Sequence, residues 1–331
     1  MKKTAIYILI LTISTLWING CTETVIESEP DNQDRIIHLG FSQLGDESEW
    51  RTASTNDVRR AAQESGVQLL FDNAMQQQFN QIRAIRSFIL KGVDIIAFCP
   101  IVEDGWDNIL EEAQAANIPV IVVDRKIKTE REGLYTAFLG ANFHREGVYA
   151  GEWMVERFAD AEGPIRIAEI SGTPGSSPAI GRYEGIREVL AENPKFEIVF
   201  SETGDFMRSK GREIMMEILQ KTPDIDILFA HNDDMALGAI EEMEEHEIQP
   251  GADITIVSVD AQTSGLEALV QGKINCLIEC SPYFGDDLMT LAFNILNNES
   301  FDPFTYTETR VFTDKHDPDE LPIRPAITHA R

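Results

Sequence analysis

Short apolar runs alternate with longer amphipathic stretches from residue 35 onward. The amphipathic stretches 52–65, 79–91 and 104–116 each lead to Gly or Asn, residues that are typical of helix C-termini. The apolar runs are rich in Val and Ile along their whole length, as expected of strands that are buried on both faces. The eight runs that we predict to be strands are 36–41, 67–71, 93–98, 120–123, 165–170, 196–200, 225–230 and 254–259. This alternation predicts an α/β fold of parallel sheets covered by helices on both faces.

Polar side chains gather where these runs end. Ligands of open parallel sheets bind outside the carboxyl ends of the strands, so we expect a site at these positions. Carboxylates, guanidiniums, an amide and an indole suit a polyhydroxylated ring, because they supply bidentate partners for hydroxyls and a flat surface for stacking. A further apolar run, 274–278, adds one more such end. The candidates are Glu47, Ser48, Trp50, Arg51, Asp124, Arg125, Arg182, Asn232, Asp260 and Glu279.

Each candidate also has a purely structural interpretation. Asp124 and Arg125 are adjacent and suit a local ion pair, while Asp233 or Asp234 suits the N-cap of the helix that begins near Met235. The concentration of such groups at strand ends favours a binding site, because chance would distribute polar residues over both rims of a sheet.

The sequence predicts no metal and no cofactor. His231 has no second His or Cys at the spacing of a metal site. The glycine-rich segment 172–181 lacks the lysine of a P-loop and the GxGxxG pattern of dinucleotide binding.

The composition of the chain is informative mainly through its net charge. The 331 residues are enough for two domains, and they carry 28 Lys plus Arg against 56 Asp plus Glu, a net charge of −28. A chain this acidic repels phosphate backbones and anionic lipid surfaces, which disfavours nucleic-acid binding.

The first twenty residues have the features of a signal peptide. Lys2 and Lys3 precede an apolar stretch, 5–18, that is too short to span a bilayer. The stretch ends at a Cys21 that resembles the lipidated cysteine of a bacterial lipobox, followed by a polar segment, 21–34, that suits a flexible tether. We therefore expect an extracytoplasmic protein anchored by lipid at Cys21, at the cell surface or in the periplasm; the alternative is a plain signal peptide with an incidental cysteine.

Three cysteines follow Cys21, so at most one disulfide can form among them. Cys276 and Cys280 lie about 13 Å apart if the run is extended, which prevents them from pairing with each other. We expect small buried hydrophobic residues, and a pairing of Cys99 with either of the other two stays open.

Six segments resemble the ribose-type periplasmic sugar-binding proteins, and within that family the galactofuranose-binding components of ABC importers. They cover residues 36 to about 312 in the family's order and read FSQLGDESEWRTASTN, QIRAIRSFILKGVDII, DRKI, GRYEGI, GDFMRSKGRE and AHNDDMALGAI. The resemblance implies a type I periplasmic binding fold, in which two doubly wound parallel-sheet domains are joined by three crossovers around a ligand cleft. The implied domains are 35–140 plus 281–309 and 141–280 plus 310–331, with crossings near 140–141, 260–263 and 281–283.

The resemblance also implies roles for individual residues. Trp50 and Phe206 match the stacking aromatics of the family, and the polar clamp matches Asp124, Arg125, Arg182, Asn232 and Asp260. Where many ribose binders have Asn and Gln, this chain has Ser48 and Glu279, with Arg51 beside Trp50. These departures favour the galactofuranose-like branch over ribose itself. The implied protein is a monomer that binds a monosaccharide, such as galactofuranose or a related hexose or pentose, and delivers it to ABC transporter permeases.

Two other classes of protein share features with this sequence. The lactose-repressor family shares the core, but it needs an N-terminal helix-turn-helix where this chain has a lipobox. A glycoside hydrolase needs two carboxylates, for instance Glu47 and Glu279. We expect Arg51, Arg125 and Arg182 to keep the cleft carboxylates ionised, so that none of them can act as the catalytic acid. The sequence therefore predicts a binder and not an enzyme. Delivery to a chemosensor or sensor kinase, instead of a transporter, stays open.

Overall fold

The computed structural model describes residues 35–323, which form two parallel-dominated sheets of the same strand order. The predicted leader, Cys21 and the tether lie outside the described residues. The first sheet has the order β2-β1-β3-β4-β5-β11 and contains β1 (His38–Gln43), β2 (Gln68–Asn73), β3 (Ile95–Phe98), β4 (Val120–Asp124), β5 (Ala137–Gly140) and β11 (Phe304–Tyr306). The second has the order β7-β6-β8-β9-β10-β12 and contains β6 (Ile165–Ser171), β7 (Phe196–Thr203), β8 (Ile227–Ala230), β9 (Thr255–Asp260), β10 (Cys276–Glu279) and β12 (Val311–Thr313).

Helices cover both sheets and define two lobes. We call the first sheet with α1 (Glu49–Glu64), α2 (Gln78–Lys91), α3 (Asp107–Ala115) and α9 (Gly285–Leu296) the first lobe. The second lobe is the second sheet with α4 (Phe143–Arg157), α5 (Ser177–Ala191), α6 (Arg208–Lys221), α7 (Asp233–Glu245) and α8 (Thr263–Val270).

The predicted α/β architecture is confirmed. All eight apolar runs and the further run 274–278 contain strands, each parallel to at least one neighbour. The sequence analysis missed β5, β11 and β12, which have only three or four residues and therefore too little pattern to recognise. β12 is antiparallel to β10, so the second sheet is mixed at this edge.

Two helix boundaries differ from the prediction for reasons that are visible locally. α1 begins at Glu49 because the Ser48 hydroxyl accepts a hydrogen bond from the Arg51 amide, which places Trp50 and Arg51 in the first turn. α3 begins at Asp107 and not at 104, because Gly105 has a φ of +90°, which no helix accommodates.

Within residues 35–323 the chain passes between the lobes three times. These passages lie between β5 and α4, between β10 and α9, and between β11 and β12. The predicted crossing near 260–263 is wrong, because the strands on either side of it, β9 and β10, are neighbours in one sheet. The third passage lies instead at residues 306–311.

Close helix packing in the second lobe depends on glycine. A Cβ atom at Gly147 of α4 would lie 2.4 Å from the carbonyl oxygen of Arg182, and one at Gly185 of α5 would lie 2.1 Å from that of His144. Only glycine permits this approach, which brings α4 against the part of α5 that carries Arg182.

The three cysteines of the described region are free and buried, as expected of small hydrophobic residues. Among residues 35–323, no helix is both long and apolar enough to cross a bilayer.

Candidate functional site

A small cavity lies between the lobes, at the carboxyl ends of the central strands. Ten of the eleven predicted site residues line it, and they come from both lobes. The lining residues are Glu47, Ser48, Trp50, Arg51, Asp124, Arg125, Phe143, Pro178, Arg182, Phe206, Asn232, Asp260 and Cys280.

In the first lobe, Arg51 is held on several sides. Its Nε atom donates to Glu47 at 3.2 Å, and its Nη1 atom donates to Asp124 at 2.9 Å and to the Cys99 sulfur at 3.1 Å. Burial alone would lower the pKa of Arg51, but the facing Cys99, Asp124 and Glu47 outweigh it and raise the pKa. The Cys99 thiol in turn donates to Asp124, so the group forms one buried network. The guanidinium is therefore always charged and fixed in direction.

Arg125 is less satisfied than Arg51. Its Nη1 atom donates to the Ile101 carbonyl at 3.0 Å, and its Nη2 atom lies 3.9 Å from Glu47. Burial, together with the positive charge of Arg51, lowers the pKa of Arg125. Among the described residues, neither the Nε atom of Arg125 nor the Oε2 atom of Glu47 has a hydrogen-bond partner. The cavity thus contains a buried donor and a buried acceptor that are free to bind a ligand.

In the second lobe, Arg182 is held by different groups. Its Nε atom donates to Glu146 at 2.8 Å, Nη1 donates to the His231 carbonyl, and Nη2 lies 3.6 Å from Asp260. Burial would lower the pKa of Arg182, but the surrounding acidic groups, Glu146 first among them, raise it. Glu146 does not line the cavity, so it acts on a ligand only through Arg182.

Asp260 differs from the other cavity carboxylates in its electrostatics. Burial raises the pKa of Asp260 well above its usual range, and Asp233 and Glu146 add to this effect although Arg182 opposes it. At Asp260 burial thus acts against the expectation that the arginines keep the cleft carboxylates ionised. Its backbone has a φ of +117°, a conformation that few residues other than glycine adopt.

Two aromatic rings complete the walls. The Trp50 indole donates from Nε1 to the Cys280 carbonyl at 2.6 Å and packs against Phe284. Phe206 has a left-handed backbone with φ +63°, and its ring covers Gly172 so closely that a Cβ atom there would lie 1.8 Å from it. Both rings are 5 % exposed, and each presents an edge or face to the cavity.

Asn232 has a structural duty as well as its place in the cavity. Its side-chain oxygen accepts from the Met235 amide at 3.0 Å, which makes Asn232 the N-cap of α7. The predicted cap at Asp233 or Asp234 is therefore wrong by one position or two. The Asn232 amide nitrogen donates to the Phe206 carbonyl, so this residue also holds the backbone of Phe206 in place.

Glu279 is the one predicted residue that lies outside the cavity. Its carboxylate forms a bidentate pair with Arg310, at 2.6 and 2.7 Å, and lines a neighbouring hollow near the second passage between the lobes. The next residue, Cys280, lines the cavity instead. The hydrolase pair suggested from sequence, Glu47 with Glu279, is thus not brought together in one cavity.

Sequence reasoning missed Phe143, Pro178 and Cys280 among the lining residues, and Glu146 behind Arg182. Phe143 and Glu146 lie in the first turn of α4, just after the chain enters the second lobe, at a position where no strand end signals a site. In the sequence, Pro178 is typical of a helix start, and Cys280 is typical of a small buried hydrophobic residue.

Among the described residues, no group of three or more His, Cys, Asp or Glu side chains is placed to hold a metal ion. His231 is fully buried, and its ring accepts from the Gly172 amide through Nδ1 while Nε2 donates to Glu169 at 3.1 Å. This hydrogen-bonding pattern accounts for both ring nitrogens.

Comparison with known proteins identifies the fold and family. A family model described as a periplasmic binding protein domain matches residues 39–300, most of the chain. The chain belongs to the periplasmic binding protein family. Its two sheets and the strand order common to them are those of the type I fold, so the resemblance noted from sequence and the predicted fold class are both confirmed.

Relatives within the periplasmic binding protein family include sugar binders. The chain is 38% identical over 249 residues to the galactofuranose-binding protein YtfQ of Escherichia coli K12, covering 74% of this chain and 78% of that protein. A Mycobacterium smegmatis protein in complex with β-D-fucofuranose is 46% identical, with a TM-score of 0.83 over 84% of this chain and 91% of that one. The binding component of an arabinose ABC transporter from Shewanella sp. ANA-3, bound to α- and β-L-arabinofuranose, is 40% identical, with a TM-score of 0.81 over 84% and 92%.

Proposed function

We propose that this protein binds one monosaccharide in its furanose ring form between the two lobes and is the extracytoplasmic binding component of an ABC importer. The observation that carries the proposal is a small cavity in which charged groups and aromatic rings from both lobes converge, with an unpaired donor on Arg125 and an unpaired acceptor on Glu47. Water-excluding rings beside free polar atoms suit a sugar, which has apolar C–H faces and a rim of hydroxyls.

The close lining supports a single sugar unit. Side chains of both lobes enclose the cavity, and both aromatic rings that line it, Trp50 and Phe206, are almost fully buried. A disaccharide requires a more open cleft. The three relatives compared above are named for, or bound to, furanoses, which favours a five-membered ring.

Each lining group has a proposed role. Trp50 and Phe206 stack on the faces of the sugar, and Arg51, Arg125 and Arg182 donate to its oxygens. Acceptors for its hydroxyls are Glu47, Asp124 and Asp260, while Ser48 and Asn232 add neutral hydrogen bonds. Glu279, which pairs with Arg310, is left out of this set.

Calorimetry with a sugar panel tests the function directly. The mature protein is titrated with galactofuranose, L-arabinofuranose, D-fucofuranose, ribose and glucose, under conditions in which furanose populations are known. We expect furanoses to bind at least tenfold more tightly than glucose. Failure of every sugar to bind contradicts the proposal, and preference for glucose contradicts its furanose part.

The partner and the anchor need separate tests. Uptake of the preferred sugar by cells that carry the neighbouring permease genes, with and without this protein, separates import from delivery to a sensor kinase.

Metabolic labelling with a palmitate analogue tests lipidation. Cys21→Ser is its control, because this substitution removes the proposed attachment site. Incubation with galactofuranosides tests the expectation that the protein is no enzyme, because a hydrolase releases free sugar.

A further inference from the structure

The lobes also meet outside the cavity, at the start of α1. The backbone amide of Glu49, in the first lobe, donates to Oδ2 of Asp234, in the second lobe, at 2.7 Å. The Ser264 hydroxyl of the second lobe donates to the Glu49 carboxylate. None of these three residues lines the cavity.

This contact couples the second lobe to the part of the first lobe that carries ligand-binding residues. Glu49 is the first residue of α1, and the amides of a first helical turn have no partner within the helix. Asp234 therefore caps α1 from across the cleft, beside the N-cap Ser48 and next to Trp50 and Arg51. Glu49 in return places its carboxylate at the first turn of α8, where Ser264 lies.

We propose that Glu49, Asp234 and Ser264 form a latch that holds the cleft closed, and that they act as positioning residues which set sugar affinity without touching the sugar. The inference deepens the proposed function and rests on it for its measurements with sugar. Contacts that exist only in the closed state shift an open–closed equilibrium and tighten every ligand by the same factor.

The charges around Asp234 make the latch sensitive to pH. From the first lobe, Glu49 and Glu47 face it, and from the second lobe Arg208 of α6 and its neighbour Asp233 do so. Burial raises the pKa of Asp234 to about 6, and the charge of Glu49 adds to this although the Glu49 amide and Arg208 oppose it.

The sign of the effect follows from the open state. When the lobes separate, Asp234 regains water and loses Glu49 and Glu47 as neighbours, so its pKa returns toward the ordinary value of about 4. Closure thus takes up a proton between pH 4 and 6. It is favoured as the pH falls through this window and penalised above it. A protonated carboxyl keeps one oxygen that accepts from the Glu49 amide, so the capping bond survives.

Two further hydrogen bonds that join the lobes in the described part of the chain have no such dependence. The Glu103 amide donates to the Gly175 carbonyl at 3.0 Å, and the Lys126 amide donates to the Ser177 hydroxyl at 2.8 Å. These are backbone and hydroxyl groups, which do not titrate at these pH values. A pH effect that one substitution at position 234 removes therefore belongs to the latch.

Two substitutions of Asp234 separate its functions. Asp234→Asn mimics the protonated form, so at pH 8 we expect affinity equal to or up to about tenfold tighter than in the parent, with the Asp234 part of the pH dependence gone. Asp234→Ala removes the acceptor and is expected to weaken every sugar about tenfold, with unchanged preference between two sugars. Calorimetry at pH 5 and pH 8 measures both. Glu245→Gln is the matched control, because it removes a carboxylate at the far end of the same helix, where Glu245 pairs with Arg212.

Equal affinity of the parent and both Asp234 variants at both pH values overturns the latch while leaving sugar binding intact. A changed preference between sugars in Asp234→Ala overturns it as well, since that is the sign of direct contact.

A measurement without sugar tests the latch even if the proposed sugar-binding function fails. In a Cys21→Ser background, dyes on Leu90→Cys in the first lobe and Met216→Cys in the second are attached selectively, because the native thiols of the described region are buried. Single-molecule energy transfer should show more closed molecules at pH 5 than at pH 8 in the parent, and a clearly smaller shift in Asp234→Ala, because Asp233 and Asp260 are carboxyls with raised pKa that remain in that variant. An equal shift in the two proteins refutes the latch.

Discussion

The two lobes place the same pair of groups at the same topological positions. Asp124 ends β4 and Asp260 ends β9, which occupy equivalent places in the two sheets. The helix that follows the equivalent strand of each sheet, α1 after β1 and α5 after β6, supplies an arginine, Arg51 or Arg182, that faces this aspartate. A ligand between the lobes thus meets one Asp–Arg pair from each side.

The pairs are equivalent in place and different in strength. In the first lobe the two groups are 2.9 Å apart, and in the second they are 3.6 Å apart. The shortest contacts of Arg182 are instead with Glu146 and the His231 carbonyl. Burial also raises the pKa of Asp260. The first lobe thus presents a short ion pair, whereas the second presents a fixed cation that lies farther from its carboxylate. We infer that selectivity for hydroxyl geometry depends more on the second lobe.

The largest expected effect comes from Arg182→Lys. Lysine cannot reproduce the contacts of a planar guanidinium with Glu146, the His231 carbonyl and a ligand at once, so we expect affinity to fall about 100-fold. Arg51→Lys retains the short pair with Asp124 and should lose less. Calorimetry with the preferred sugar measures both. Full affinity in Arg182→Lys contradicts the dominance of the second lobe, and an equal loss in both variants removes the distinction between the lobes.

The next effect tests the ring of the second lobe through a residue that does not touch the ligand. Gly172→Ala inserts a methyl group where the Phe206 ring lies, and the ring must move toward the cavity. We expect affinity to fall about tenfold, because stacking needs an accurately placed ring. Pro174→Ala, in the same loop but exposed, is the control. Unchanged affinity in Gly172→Ala means that the ring does not contact the sugar.

A smaller effect concerns the stability of the second lobe in acid. Burial lowers the pKa of His231, so the folded protein keeps this ring neutral, while the unfolded chain takes up a proton below a pH of about 6.5. The contribution of His231 to stability is therefore complete at neutral pH and declines as the pH falls below that value. Between pH 7 and pH 5.5 the free energy of unfolding of the parent should decrease. In His231→Asn this decrease should be about 1 kcal/mol smaller. Denaturant unfolding at the two pH values checks this, and parallel curves contradict it.

Strand ends were informative in the sequence because the fold places them together. Glu47 and Asp124 follow apolar runs that end at the carboxyl rim of the first sheet, and Asp260 follows a run that ends at the same rim of the second sheet. Predicting both rims needs no knowledge of the distance between the lobes. The same rule misled at Glu279, since a strand end alone does not reveal a competing partner such as Arg310.

The supporting residues were beyond sequence reasoning for a physical reason. Glu146 reaches Arg182 only because glycines let α4 and α5 approach closely, and Asp234 reaches α1 across the boundary between the lobes. Both contacts depend on packing between elements distant in the chain. The positive φ of Asp260 is equally invisible in the sequence, where it looks like any other aspartate at a strand end.

The smallest expected effect compares the residues that follow equivalent strands, Cys99 after β3 and His231 after β8. Cys99 supports Arg51 through its side chain, as an acceptor at 3.1 Å, and donates to Asp124 at 3.0 Å. His231 supports Arg182 through its backbone carbonyl, which substitution preserves. The first lobe is therefore the one in which a side-chain change behind the arginine should reach the sugar.

Cys99→Ala removes both hydrogen bonds and should weaken sugar binding about threefold, the value of one modest neutral interaction, because Glu47 and Asp124 still hold Arg51. Cys99→Ser retains a donor toward Asp124 and an acceptor for Arg51, so it should restore most of the affinity. Cys276→Ala is the matched control, a buried thiol in the second sheet that should change stability and leave affinity unchanged. Calorimetry and thermal unfolding of the three variants separate these effects. If the alanine and serine variants bind alike, Cys99 only fills space behind Arg51, and the first lobe holds its ion pair through carboxylates alone.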